Sequence, residues 1–184
     1  MPKVRIWALA GLAAAALSAG GCGDTKHAAG CGPLSGGSTA AKVSGHPIET
    51  LFLTDVQSKR DRCVDRISFF FRAGRIERPG FRVEYRPARE AQTEDGSGRR
   101  IKVAGSAFLV VHLSPAATAE TNADQLKFTY KGPNRLHSGG LRYVREVVKT
   151  GDFEGVVTWA IGLSERRPFR VSASTRPGLA VEIG

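Results

Sequence analysis

The segment GDFEGVVTWAIGLSERRPFRV, residues 151–171, gathers side chains suited to two kinds of chemistry. Asp152 and Glu154 stand two apart, so in a strand both carboxyl groups face one way, with Cβ atoms roughly 7 Å apart. A glycosidase pair works at a comparable separation, but such pairs come from different elements lining a cleft, and Gly151 and Gly155 bracket these two acids. The residues fit a turn better, with Asp152 bonded to backbone amides and Glu154 paired with a neighbouring arginine. Arg166, Arg167 and Arg170 follow, and Arg142, Arg145 and Lys149 form a second basic group. An arginine fork matches planar carboxylate and phosphate groups. Arg142, Arg145, Arg166, Arg167 and Arg170 are therefore the candidate anion-binding residues, provided the fold brings them together; scattered surface charge is the alternative.

Other chemistries find little support. His27, His46, His112 and His137 are dispersed, with no His-x-x-x-His or Cys-x-x-Cys spacing, so no metal ligand is assigned. No G-x-S-x-G elbow occurs. Ser106 follows Gly105 but begins a strand, with no His–Asp pattern nearby. Arginines flank Cys63 and favour a thiolate, yet its phase puts it with Ile67 and Phe69 on a core face. No catalytic residue and no cofactor is expected.

The elements that must position the arginines read as strands. Ile67, Phe69 and Phe71 share a face with Cys63, and Phe81, Val83 and Tyr85 alternate with Arg82, Glu84 and Arg86. Such alternation marks half-buried strands. AFLVVHL (107–113) is apolar on both faces and reads as a central strand. Phe153, Val157, Trp159, Ile161 and Leu163 form a further row, as do Phe169, Val171 and Ala173, and Leu179, Val181 and Ile183. Residues 50–56 suit a first strand. Turn signals separate the runs: ERPG at 77–80, EDGSG at 94–98, KGPN at 131–134, HSGG at 137–140 and RPG at 176–178. Residues 115–125 suit a loop with one helical turn. Residues 141–149 suit a strand or a short helix, because Leu141, Val144 and Val148 also form a helical stripe. The expectation is an all-β fold, a β-sandwich of about 7–9 mostly antiparallel strands with at most one short helix. The absence of βαβ alternation argues against a nucleotide-binding α/β fold.

The chain has 184 residues, enough for about one domain. Its net charge is +10, and arginine supplies 19 of its 27 basic residues. Lys3 and Arg5 precede a charge-free run from Ile6 to Gly21 that is short of a membrane crossing. Residues 1–21 read as a signal peptide. Ala19-Gly20-Gly21-Cys22 resembles a bacterial lipobox, with Ala19 where leucine is usual. This makes Cys22 the lipidation candidate, and ordinary secretion the alternative. Residues 22–47 are rich in Gly, Ala, Ser and Thr and read as a flexible tether, with the domain at 48–184. An exported compartment permits a Cys31–Cys63 disulfide; one buried and one exposed thiol is the alternative. The expected location is the extracytoplasmic face of the cell membrane, lipid-anchored. The expected partners are the membrane itself and cell-wall or envelope proteins, with no nucleic acid. Removal of Lys3 and Arg5 leaves a net charge of +8, suited to wall phosphates, phospholipid head groups or peptidoglycan carboxylates.

VDRISFFF, PGFRVEY, GSAFLVVHLSPA, the 151–171 segment and the terminal RPGLAVEIG, in this order, resemble the AMIN-like domain found in lipoproteins and secreted proteins of high-GC Gram-positive bacteria. The resemblance spans about residues 48–184. It implies a sandwich related to the AMIN module of peptidoglycan amidases, which is the non-catalytic targeting part of those enzymes, and hence a non-enzymatic envelope-binding module for peptidoglycan or another anionic wall component. It assigns no ligand residue by position. A β-barrel lipoprotein carrying a lipid or another small apolar ligand is the competing class and requires an internal cavity. An envelope hydrolase would need Asp152 or Glu154 to meet a second acid across a cleft.

Overall fold

Period-two runs of Val, Ile and Phe separated by Gly- and Pro-rich turns produce two packed sheets. The structure is a computed structural model describing residues 31–45, 47–75, 78–123 and 125–184. In chain order the strands are β1 (Lys42–Val43), β2 (Leu51–Asp61), β3 (Val64–Phe71), β4 (Gly80–Arg86), β5 (Ala107–Ser114), β6 (Ala116–Ala117), β7 (Ala119–Asn122), β8 (Gln125–Phe128), β9 (Arg135–His137), β10 (Val144–Phe153), β11 (Val156–Leu163), β12 (Phe169–Ala173) and β13 (Gly178–Ile183). One sheet runs β1-β4-β5-β11-β10-β9 and the other β12-β13-β3-β2-β6, with β7 and β8 as a separate hairpin. Pairing is antiparallel except for β2 with β6. The chain is thus an all-β sandwich.

Inward side chains of both sheets fill the space between them. Trp159, Phe69 and Phe169 are the largest fully buried side chains. Phe69 and Tyr130 pack edge-on against Trp159, with ring centres 6.0 and 5.7 Å away. Rings in this arrangement add attraction beyond the area they bury. The two sheets remain separate and meet over a close-packed aromatic centre, which gives the apolar-carrier reading no support. As its composition implies, β5 is central, with Leu109, Val111 and Leu113 inward and Phe108 and Val110 outward. A second apolar cluster of Ala91, Val103, Phe108, Val110, Val148 and Ala160 covers the outer face. The segment that closes over it passes directly above β11, where a Cβ on Gly162 would lie 1.9 Å from the Ala104 carbonyl oxygen.

Three local expectations are corrected, and the open choice at residues 141–149 is resolved as strand. Residues 31–45 are not a free tether: Ser38 exchanges backbone hydrogen bonds with Phe169, and Lys42–Val43 pairs with β4. The compact unit therefore begins at Cys31, well before residue 48. Residues 115–125 hold β6 and β7 rather than a helical turn, because pairing with β2 and β8 outweighs the helix propensity of their alanines. Residues 141–149 lie largely in β10, and the short helix is instead α1 (Ala88–Ala91). Phe153 leaves the core row and is half exposed at the β10–β11 turn. That turn is Glu154-Gly155, with φ of +50° and +75°, the two left-handed positions of a tight hairpin.

Candidate basic site

Antiparallel register carries the start of β10, the end of β11 and the start of β12 to one end of the sandwich. Two loops meet there, 139–143 and 164–168. The Ser164 amide donates to the Tyr143 carbonyl at 2.9 Å. The Tyr85 hydroxyl donates to the Arg167 carbonyl at 2.7 Å and accepts from the Arg167 amide at 2.9 Å. One phenol thus clamps the arginine loop at the end of β4. Burial pushes the Tyr85 phenol up, against the opposing pull of its bond to Arg167 and the charges of Arg166 and Arg167.

The arginines stack on this frame. Arg166 lies over the Tyr85 ring at 4.6 Å, and Arg167 and Arg142 lie over the Tyr143 ring at 4.3 and 5.1 Å. Cation–π contact holds a guanidinium in place without neutralising it. Arg167 also donates to the Tyr143 hydroxyl at 3.0 Å and meets Glu165 at 3.5 Å. Its Nε is buried and has no hydrogen-bond partner among the described residues. Among the described residues, Arg166 donates only a long 3.4 Å bond to the Thr39 carbonyl. Beside it an open groove of about 410 Å³ is lined by Tyr85, Pro87, Phe108 and Arg166, among others. The arrangement offers fixed guanidinium donors above aromatic faces, suited to carboxylate or phosphate with an adjoining apolar or sugar surface.

The structure brings together Arg142, Arg166 and Arg167 but not all five candidates. Arg170 bonds the buried Glu182 and donates to the Ser35 carbonyl at 3.0 Å. It shares that carboxylate with Arg66 and fastens residues 31–45 to β12. Arg145 is exposed on β10 and takes part in none of the tip contacts. Cys31 and Cys63 are joined, their Cα atoms 5.3 Å apart. Cys22 lies outside the described residues.

The acids serve structure. Asp152 accepts from the Thr118 amide at 3.2 Å and from its hydroxyl. Glu154 is an exposed turn residue that enters none of the ion pairs among the described residues. The acid that shapes the site is Asp65, which sequence reasoning passed over. It is 1% exposed and accepts the amides of Arg142 at 3.0 Å, Tyr143 at 2.6 Å and Val144 at 2.9 Å. The signal was present: Asp65 shares the odd-numbered core face of Ile67 and Phe69. An acid on such a face must find donors.

Fold and site define a class, an all-β sandwich with an arginine–tyrosine tip. Within it, the AMIN-like domain family model matches residues 51–183, and the chain belongs to that family. No curated protein and no solved structure shows significant similarity to the chain.

Proposed function

We propose that the chain is a membrane-anchored, non-enzymatic envelope-binding module on the extracytoplasmic face of the membrane, held by lipid on Cys22. Its arginine–tyrosine tip takes carboxylate or phosphate groups of the cell wall, with peptidoglycan as the ligand. AMIN-like domains are binding modules rather than catalysts, and family membership points to a peptidoglycan-related role. The observation that carries the reading is the convergence of Arg142, Arg166 and Arg167 on two tyrosine rings, with Glu165 the one carboxylate paired to them among the described residues. An incoming carboxylate would accept from Arg167 Nη1 and from Arg166, displacing the weak Glu165 contact. The groove beside Arg166 would hold the adjoining sugar or alkyl surface.

The test is co-sedimentation with purified wall sacculi. The wild-type chain should bind, and binding should fall as salt rises, because guanidinium–anion contacts are screened. R166E/R167E should weaken binding at least tenfold, since charge-assisted bonds contribute about 1.5–3 kcal/mol each. Binding unchanged by this substitution and by salt would sink the proposal.

A further inference from the structure

A second set of free cations surrounds the disulfide. The turn between β2 and β3 is Arg62-Cys63, and Lys59, Arg60 and Arg62 are all exposed. None of the three enters an ion pair among the described residues. The Arg60 guanidinium makes one long bond, 3.4 Å, to the Arg62 carbonyl. The acids nearby offset this charge only in part: with three cations and Asp61, residues 59–62 carry a net +2. Asp61 faces Arg66 at 3.4 Å, and Asp65 is buried against three amides. The end of the hairpin therefore carries exposed positive charge that the fold itself does not use, with Lys59 and Arg60 on opposite faces of β2 and Arg62 at the turn.

The chain is led to this same turn by covalent bonds. Cys31 is joined to Cys63, so the part of residues 22–47 that can separate the sandwich from Cys22 ends at Cys31. Nine peptide steps link Cys22 to Cys31, and even fully extended they span no more than about 30 Å. An anchor at Cys22 would therefore hold the Arg62-Cys63 turn within that distance of the membrane surface. Resting on the lipidation in the proposed function, we propose that Lys59, Arg60 and Arg62 form a docking surface for anionic phospholipid headgroups of the anchoring membrane. Its residues are distinct from the Arg166–Arg167 wall site. Each basic residue near an anionic leaflet strengthens attraction about fivefold, and the tether raises the local headgroup concentration to which the turn is exposed. The domain is thereby oriented on its lipid as well as attached to it.

The experiment uses the chain from Cys22 onward, with a maleimide lipid coupled to Cys22. That is the one cysteine left when Cys31 and Cys63 are bridged, so cellular lipidation is not needed. Hydrogen exchange of residues 57–64 is compared on phosphatidylglycerol and phosphatidylcholine nanodiscs. Exchange should be at least threefold slower on phosphatidylglycerol. High salt should abolish the difference, as should K59Q/R60Q/R62N, in which asparagine suits the +52° φ of Arg62. Equal exchange on the two lipids would overturn the proposal. So would protection induced by soluble muropeptide instead of phosphatidylglycerol, which would assign the turn to the wall. Sacculus binding of the lipid-free chain reports the wall site separately.

Discussion

Two buried carboxylates organise the loops that sequence patterning left undefined. Asp65 gathers three successive amides at the start of β10 and so fixes Tyr143, the ring on which Arg142 and Arg167 stack. Asp65→Asn puts a donor among donors and should cost about 3 kcal/mol, read by urea denaturation, with loss of sacculus binding as the tip loosens. Glu146 works on the outer face. It accepts from the Ala104 amide at 2.9 Å and pairs with Arg135 at 2.6 Å. Burial raises its pKa, but Arg135, the Ala104 amide and His137 outweigh that and hold it below the usual carboxylate value. A carboxyl group depressed in the folded state stabilises at pH above its unfolded value, roughly 4.3. That contribution is lost as pH falls through the lower folded value. Denaturation followed from pH 7 to pH 3 should show stability falling below about pH 4.3, and less steeply in Glu146→Gln. The burial of Asp65 was legible from its core-face phase, but neither acid's partners were, because they are set by distant loops.

Strand phase was readable wherever pairing was regular, as in β3, β4, β5, β11 and β13. It failed where pairing was not. Register shifts between Val144 and Glu146 and between Lys149 and Gly151 break the alternation of β10. Val144 and Val147 consequently face the core while Val148 faces outward, and the row imitates a helical stripe. The covering segment over β11 is equally invisible in sequence, yet it explains Gly162. Gly162→Ala should push Ala104 away and destabilise by about 3 kcal/mol or more. Hydrogen exchange at residues 101–105 should rise with it; unchanged exchange there would contradict the close approach. The disulfide closes a 32-residue separation. C31S/C63S should cost about 3 kcal/mol and release residues 31–45 from β4 and β12, seen as faster exchange at Ser38 and Lys42.

At the scale of the whole molecule, one end of the sandwich carries both the disulfide-bonded β2–β3 turn and the arginine–tyrosine tip, joined through Asp65. The composition of residues 22–47 reads as one long tether, since Gly, Ser and Thr carry no sign of the edge pairing that a few backbone bonds supply. The five candidate arginines resolve into three that meet, one paired with Glu182 and one apart, a distinction that depends on buried partners rather than spacing. The family was legible from the order of strand motifs, the ligand much less so. The most direct test of wall recognition is an amide NMR titration of the chain with a soluble muropeptide carrying free stem-peptide carboxylates. The expected result is perturbation centred on residues 142–143 and 164–168, with the Arg166 and Arg167 guanidinium resonances shifting, and no response in R166E/R167E. Perturbation confined to other surfaces, or none at millimolar muropeptide, would contradict the assignment of the arginine–tyrosine tip as the binding site.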